Sequence, residues 1–499
     1  MGPDRDALPN ILLVTLDQFR ADCLSCAGHP VVQTPALDTL ATQGVRLTRH
    51  YSQAAPCSPG RAALYTGTYQ MNNRVVANGT PLDTRLDNIA LAARRAGYAP
   101  ALFGYTDQGV DPRTVDDPDD PRLSTYEGVL PGFDPVLDMS GWQLPWLQWL
   151  NSQGYDFVDP VAALQLEHER PAELSTSTFL TNGFLDWLSG RQQPWFAHLS
   201  YLRPHTPYSA AGQYSTMYDP SSCPPPLPVP TNRHRLVDAL LSSAAAAPTT
   251  PAEVAHMQAQ YFGMISEVDA QLARVWAALH DRDEWGNTVI VVTSDHGEQL
   301  GDQGLIQKAG FYESSYAVLG IVRDPRFGHG GVIDEFTENV DIMPTLCEAM
   351  GIEVPAQCDG FPLTPFLRGA RPASWRDAAY YEWDWRDQFI PHGDHEWPWD
   401  RRLERQNLAV RRSRDRAFVH FGDGSWRCFD LAADPTWQTE TTDPAVVLTE
   451  ASAMLSWRLR HLDRTMTGML LQDGGIGRRP APIYPGDRPA GAKPQSALT

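Results

Sequence analysis

Short apolar runs that end in a polar group set the frame for this chain. Asn10 to Asp17 reads NILLVTLD, the pattern of a strand buried on both faces of a parallel sheet. Similar runs recur at YAPALFGYT from Tyr98, PWFAHLSYL from Pro194, TVIVVTSDH from Thr288 and YAVLGIVRD from Tyr316. Helical patterns lie between them. TPALDTLATQG has Pro35 in a first-turn position and Gly44 as a stop. In the stretch that starts at Pro251, Val254, Met257, Tyr261, Met264, Val268, Leu272, Val275 and Leu279 recur every three or four residues, the spacing of one buried helix face. Strands alternating with helices predict an α/β fold, a sheet with helices on both faces. Such sheets carry their chemistry at the carboxyl ends of strands. Here those ends bear Asp17, Asp295 with His296, and His205 a few residues beyond its strand.

At 499 residues the chain is long enough for two or three domains. The composition changes after about Gly369. AYYEWDWRDQF is rich in aromatics, and RAFVHF and WRCFDL read as short antiparallel strands. This predicts a catalytic domain over 1–370 and a smaller α+β domain with a short antiparallel sheet over 371–472. The stretch 473–499, rich in Gly, Pro and Arg without periodicity, reads as a tail or an intersubunit arm. The proline-rich CPPPLPVP, Cys223 to Pro230, marks a surface insertion near 220–250.

The net charge is -20, with 60 acidic residues against 40 basic ones. That argues against nucleic acid or an anionic membrane as partner, since both favour basic surfaces. A small anionic substrate needs only a local patch of positive charge. Seven cysteines in a long chain do not form a disulfide framework. Cys23 and Cys26 make a C-x-x-C with no second pair near it, and read as two ordinary thiols. MGPDRDALPN lacks the apolar core of a signal peptide, and no run approaches the ~18 apolar residues of a membrane span. A cytoplasmic protein is expected.

The strand-end acids point to a metal. Asp17 with Gln18, and Asp295 with His296, offer carboxylate oxygens, an amide oxygen and an imidazole nitrogen. Such donors suit a hard or borderline divalent cation such as Ca²⁺, Mg²⁺ or Mn²⁺. Taken singly, Asp17 would more often be a helix cap and an Asp-His pair a turn. Four such groups at two strand ends, around a separate candidate nucleophile, favour the metal.

That nucleophile lies in SQAAPCSPGRAALYTG, residues 52–67. Cys57, Pro59 and Arg61 form C-x-P-x-R, and Thr66 and Gly67 follow. With NILLVTLDQFR before it and TSDHGEQLGDQGLIQKAGFYE after it, the chain resembles the formylglycine-dependent sulfatases of the alkaline phosphatase superfamily, nearly end to end. GTPLD, GYAPALFGYT, DPR at Asp111–Arg113, YLRPHTPY and SWRLRHLDRTMT resemble the phosphonate monoester hydrolase and phosphodiesterase branch. The resemblance implies an alkaline-phosphatase-like sandwich around a large mixed, mainly parallel sheet. It implies that a formylglycine-generating enzyme oxidises Cys57 to formylglycine. One oxygen of the hydrated aldehyde then attacks phosphorus or sulfur to give a covalent intermediate, and the second hydroxyl expels the product. The same scheme serves phosphonate monoesters, phosphodiesters and sulfate monoesters.

By the same resemblance Asp17, Gln18, Asp295 and His296 hold one divalent ion, Mn²⁺ or Ca²⁺, with the group at Cys57 as a further ligand. Arg61 orients the nucleophile. Asn78, Tyr105, His205 and Lys308 contact the transferring group and the leaving oxygen, and either His205 or Lys308 serves the leaving group. Tyr105 stands where sulfatases carry lysine in G-K-W-H, which suits a substrate with a single negative charge. An arylsulfatase or a choline-sulfatase-like enzyme is the alternative. Two residues depart from the pattern. Gly60 replaces the usual Ser or Ala. Asp107 replaces a neutral Thr: turned inward it would disfavour dianions or favour a substrate with a cationic part, and turned outward it would meet solvent or Arg113. A homo-oligomer, tetramer or dimer, is the expected assembly.

Overall fold

The computed structural model describes residues 8–328, 330–386, 405–462, 469–473 and 475–478. Two sheets carry the described architecture. In chain order their strands are β1 (Asn10–Leu16), β2 (Val45–Tyr51), β3 (Ala54–Ala55), β4 (Ala101–Gly104), β5 (Asp134–Asp138), β6 (Phe196–Tyr201), β7 (Thr288–Thr293), β8 (Gly320–Arg323), β9 (Gly331–Glu338), β10 (Ala378–Asp384), β11 (Asn407–Ser413), β12 (Arg416–Phe421) and β13 (Trp426–Asp430). The large sheet has eight strands in the order β5-β4-β6-β1-β7-β8-β2-β9. Every neighbouring pair is parallel except those of β8, which runs antiparallel to both β7 and β2. The fold is alkaline-phosphatase-like, as the motifs imply.

The apolar run of β1 explains its central place. Leu12, Val14 and Leu16 join the core on one face, with Tyr261, Ile265 and Val268 of the helix Pro251–Asp281. Ile11 and Leu13 join the core on the other, with Leu64, Tyr65, Met343 and Leu346. A strand covered on both faces has no solvent side on which to place polar residues. The long helix begins at a capping box between Thr250 and Glu253, with Pro251 in its first turn.

The run YAVLGIVRD behaves differently from the other four. Only Gly320–Arg323 of it is strand, and that strand is antiparallel. Residues 294–319 contain short 3-10 turns but no α-helix. Without a crossover helix the chain returns against β7 rather than alongside it.

The smaller sheet has the order β13-β12-β11-β10-β3. Its outer strand β3 comes from the amino-terminal third of the chain and pairs in parallel with β10, Ala54 opposite Glu382 and Ala55 opposite Trp383. The strand that leads into Cys57 is therefore held by the carboxyl-terminal sheet. Beneath it, Tyr381 stacks on Tyr316 at 4.0 Å and on Tyr51 at 6.3 Å. In the segment read as a tail or arm, Gly475–Arg478 pairs with Met469–Gln472, and 479–499 lie outside the described residues. Tyr381→Ala should lower the free energy of unfolding by about 3 kcal/mol. Denaturant titration checks this, and an unchanged midpoint would show that the two sheets are not coupled through these rings.

Candidate active site

β1 and β7 are paired with Thr15 opposite Thr293. The same register, continued two residues, sets Asp17 beside Asp295. The Gln18 backbone N–H donates to Asp295 Oδ1 at 3.2 Å, and so does that of His296 at 3.0 Å. All of these groups are buried.

Cys57 is the first residue of the helix Cys57–Thr66, every residue of which is buried. Its Sγ lies 3.2 Å from His296 Nε2. His296 Nδ1 sits 3.0 Å from the Gly297 carbonyl. A carbonyl only accepts, so Nδ1 carries the proton and the Nε2 lone pair faces Cys57. One ligand atom each from Asp17, Cys57, Asp295 and His296 lies within 4.8 Å of the others. Asp17 Oδ1 is buried and has no hydrogen-bond partner. An orphaned carboxylate oxygen beside a second carboxylate and a bare imidazole nitrogen is the environment a divalent cation completes.

The field agrees. Burial pushes the Asp17 carboxyl up, but the surrounding charges, Arg61 and Lys308 among them, hold it well below the ordinary carboxylate range. Burial, and then the Asp17 charge, push Asp295 up. Burial and the Lys308 charge push His296 down to about 3, so its neutral, ligating form prevails. Burial, and then the Asp17 charge, raise the Cys57 thiol well above its usual value. A protonated thiol is a poor nucleophile, so the cysteine as such is ill-suited to attack.

Arg61 lies one helical turn after Cys57, on the same helix face. Its Nε donates to Asp295 Oδ2 at 2.9 Å and its Nη2 to Asp17 Oδ2 at 3.0 Å. Nη1 reaches Ser200 Oγ, the Tyr105 carbonyl and Tyr65 Oη. The guanidinium also lies over the Tyr105 ring at 4.4 Å. The helix sits so close to β7 that a Cβ on Gly60 would fall 2.3 Å from the Asp295 carbonyl oxygen and 3.0 Å from that of Ala54. The residue that departs from the motif is thus set by packing.

Lys308 Nζ donates to Gln18 Oε1 and lies against His205 Nε2, each at 2.9 Å. His205 Nδ1 faces the Thr206 carbonyl at 2.8 Å, so it carries the ring proton and Nε2 accepts from Lys308. Burial and the Lys308 charge push His205 down to about 4. A cavity of about 780 Å³ opens over these groups, lined by Asp17, Cys57, Asn78, Tyr105, His205 and Lys308 among others. A separate cavity of about 660 Å³, lined by Arg20, Cys23 and Trp437, holds none of them.

Residues 9–352 match the sulfatase family, and residues 301–464 match the family described as N-sulphoglucosamine sulphohydrolase, C-terminal. The chain belongs to the sulfatase family. It is 36% identical over 94% of its length to the multifunctional alkaline phosphatase superfamily protein PehA of Trinickia caryophylli, covering 99% of that protein. Two solved structures are similar: the phosphonate monoester hydrolase of Agrobacterium radiobacter, with TM-score 0.86, 40% identity, and 95% of this chain on 100% of that one; and phosphonate monoester hydrolase SpPMH from Silicibacter pomeroyi, with 0.85, 34%, and 94% on 99%. The enzymes of this family are hydrolases that use a metal ion and formylglycine.

Within the sulfatase site several residues take places that their order in the chain did not show. Asn78 Oδ1 accepts the Ser58 N–H at 2.9 Å, next to Cys57. Tyr105 Oη donates to Asp17 Oδ2 at 2.7 Å. Asp107 does not face solvent, and Arg113 pairs with Asp83 and Asp111 instead. With φ of 50°, Asp107 turns into the cavity, 3.6 Å from Arg61 Nε. Burial, opposed by Arg61 and reinforced by Asp17, pushes its carboxyl up to about 8. Glu298, two residues past His296, is fully buried and accepts from Gln18 Nε2 and from the backbone of Leu300 and Gln307. It orients Gln18, and its place in TSDHGEQ was the only signal for it. Ser200 and Gln108, which brace Arg61 and the Ser58 carbonyl, left no signal. The cysteines are all free.

Gly60→Ala should cost about 1–3 kcal/mol of stability and lower turnover, because the Cys57 helix must move off β7. Thermal unfolding and steady-state rates check both, and a fully active, equally stable variant would refute the packing argument. Stripping divalent ions with a chelator should lower the thermal midpoint, since two buried carboxylates lose their counter-charge. Saturating Mn²⁺ or Ca²⁺ should restore about 2.7 kcal/mol at a hundredfold excess over Kd.

Proposed function

We propose that the chain is a metal-dependent hydrolase of phosphonate monoesters and phosphodiesters. Its nucleophile is formylglycine derived from Cys57, and sulfate monoesters are promiscuous substrates. The charge supply of the cavity carries this reading. Lys308 is the one Lys or Arg among its described lining residues, His205 is neutral, and Arg61 is spent on carboxylates behind the nucleophile. Such a site suits one negative charge on the transferred group. Whole-length similarity to phosphonate monoester hydrolases supports the same class.

Asp17, Asp295 and His296 would hold the metal, with the Gln18 amide oxygen and the group at Cys57 as further donors. When bound, the cation makes the oxygen nucleophile available near neutral pH and offsets charge on the reacting centre. Hydrated formylglycine provides that oxygen and a second hydroxyl through which the product is released. Arg61 holds Asp17 and Asp295 in place. Asn78 accepts the Ser58 N–H and Gln108 donates to the Ser58 carbonyl, so the peptides on both sides of Ser58 are held and the nucleophile's backbone is kept from turning. Lys308 has two of its three N–H groups placed by Gln18 and His205, so the third is directed by default toward the cavity. His205 has no proton on Nε2 in this arrangement, which gives the leaving-group donor role to Lys308 and a positioning role to His205.

Rates on matched phenyl phosphonate, phosphate diester and sulfate monoester test the assignment. Phosphonate monoester or diester should give the highest kcat/KM, and a sulfate monoester optimum would overturn it in favour of a sulfatase. Lys308→Ala should lower kcat by roughly 10²–10⁴, most for the most basic leaving groups. A leaving-group dependence as shallow as that of the unaltered enzyme would remove Lys308 from the donor role.

A further inference from the structure

The cavity is polarised. Lys308 meets Gln18, which follows β1, and His205, which follows β6. Asp107 follows β4, Glu127 precedes β5, and Trp142 follows β5, at the far end of the strand order. Neighbouring strands lie about 4.8 Å apart, and β1 is two places from β4 in the strand order, so Lys308 and the acidic group lie apart along the cavity that Cys57 also lines. The far wall is acidic and aromatic: Asp107, Tyr126, Glu127 and Trp142 line it, and among the described residues no lysine or arginine does.

This wall is built. Asp107 is only 5% exposed, and the described residues give its carboxylate no hydrogen bond. Its single charge partner, Arg61, is 3.6 Å away and already engaged by Asp17 and Asp295. Gly141, Trp142 and Gln143 all have positive φ, at 75°, 58° and 66°. Two consecutive residues other than glycine in the left-handed region are costly. The Glu127 carboxylate holds the turn by accepting the N–H groups of Gly141 and Trp142 through one oxygen, Oε2. The result is an indole, 48% exposed, held at the mouth beside two acids.

Charge counting shows what the wall lacks. A divalent ion and Arg61 together would offset Asp17, Asp295 and Asp107, and Lys308 would offset a monoanionic ester. Glu127 is left over. A cation brought to this wall would meet its charge, would favour the ionised form of the buried Asp107, and would rest on the faces of Tyr126 and Trp142.

Resting on the phosphodiesterase reading above, we infer that the wall formed by Asp107, Tyr126, Glu127 and Trp142 is a subsite for a positively charged substituent, so that preferred substrates are diesters or phosphonate esters bearing an ammonium group on the part retained at phosphorus. The retained part falls here because Lys308 places the leaving oxygen on the opposite side.

The test compares para-nitrophenyl phosphocholine with its carbon isostere, in which a tert-butyl group replaces trimethylammonium. Size, leaving group and phosphate charge are equal. The ammonium ester should have a kcat/KM about tenfold higher or more. In Asp107→Asn and Glu127→Gln that ratio should fall toward one, and the ratio does not depend on how much of a variant is folded. Equal turnover of the two esters by the unaltered enzyme would overturn the subsite and leave the phosphodiesterase reading standing. A ratio unchanged in both variants would also overturn it. Hydrolysis of neither ester would overturn both readings.

Discussion

The Arg61 guanidinium is the tie on which the site depends. It is fully buried, and its three nitrogens reach Asp17, Asp295, Ser200, Tyr65 and the Tyr105 carbonyl. Those partners sit after or on β1, β7, β6 and β4 and on the Cys57 helix itself. A buried cation with one carboxylate is a poor source of stability, because desolvation cancels most of the attraction. Two carboxylates, two hydroxyls, a carbonyl and an aromatic face surround this one, and such a network holds a buried charge that a single pair would not. The same bonds fix the two carboxylates at the spacing a cation would need and leave Asp17 Oδ1 free to meet it. They also keep Arg61 out of the cavity lining, where Lys308 is the one Lys or Arg among the described residues.

The second constraint is closeness. The Cys57 helix lies against the end of β7 with no room for a methyl group at position 60. It is held from the other side by β3, a two-residue strand in the carboxyl-terminal sheet. That sheet also lends Trp383 to the cavity. The smaller sheet is thus part of how Cys57 is held.

Much of this was legible in the sequence because it depends on chain order and period. Apolar runs gave β1, β4, β6, β7 and β8 but not β2, β5 or β9, which are less uniformly buried; polar strand ends gave Asp17, Asp295 and His296, and C-x-P-x-R singled out Cys57 and Arg61. What was not legible depends on direction. The antiparallel course of β8 follows from a connection without a crossover helix, which the apolar pattern of YAVLGIVRD does not encode. The inward turn of Asp107 needs a positive φ at a residue other than glycine, and sequence favours the opposite expectation. Ser200 and Gln108 act through single hydrogen bonds from common residue types. Glu127 and Trp142 come together only through a left-handed turn that no local motif announces.

The central claim is that Cys57 is a precursor. The raised, protonated thiol pressed against His296 makes the cysteine a weak nucleophile, while an oxygen there would stand among the candidate metal ligands. Mass measurement of the tryptic peptide HYSQAAPCSPGR, residues 50–61, from protein produced in its native host tests this most directly. If Cys57 is converted, the peptide is lighter by the difference between hydrogen sulfide and an oxygen atom, the mark of the aldehyde. A peptide carrying only the unmodified thiol, in protein that hydrolyses its substrates at full rate, would contradict the claim.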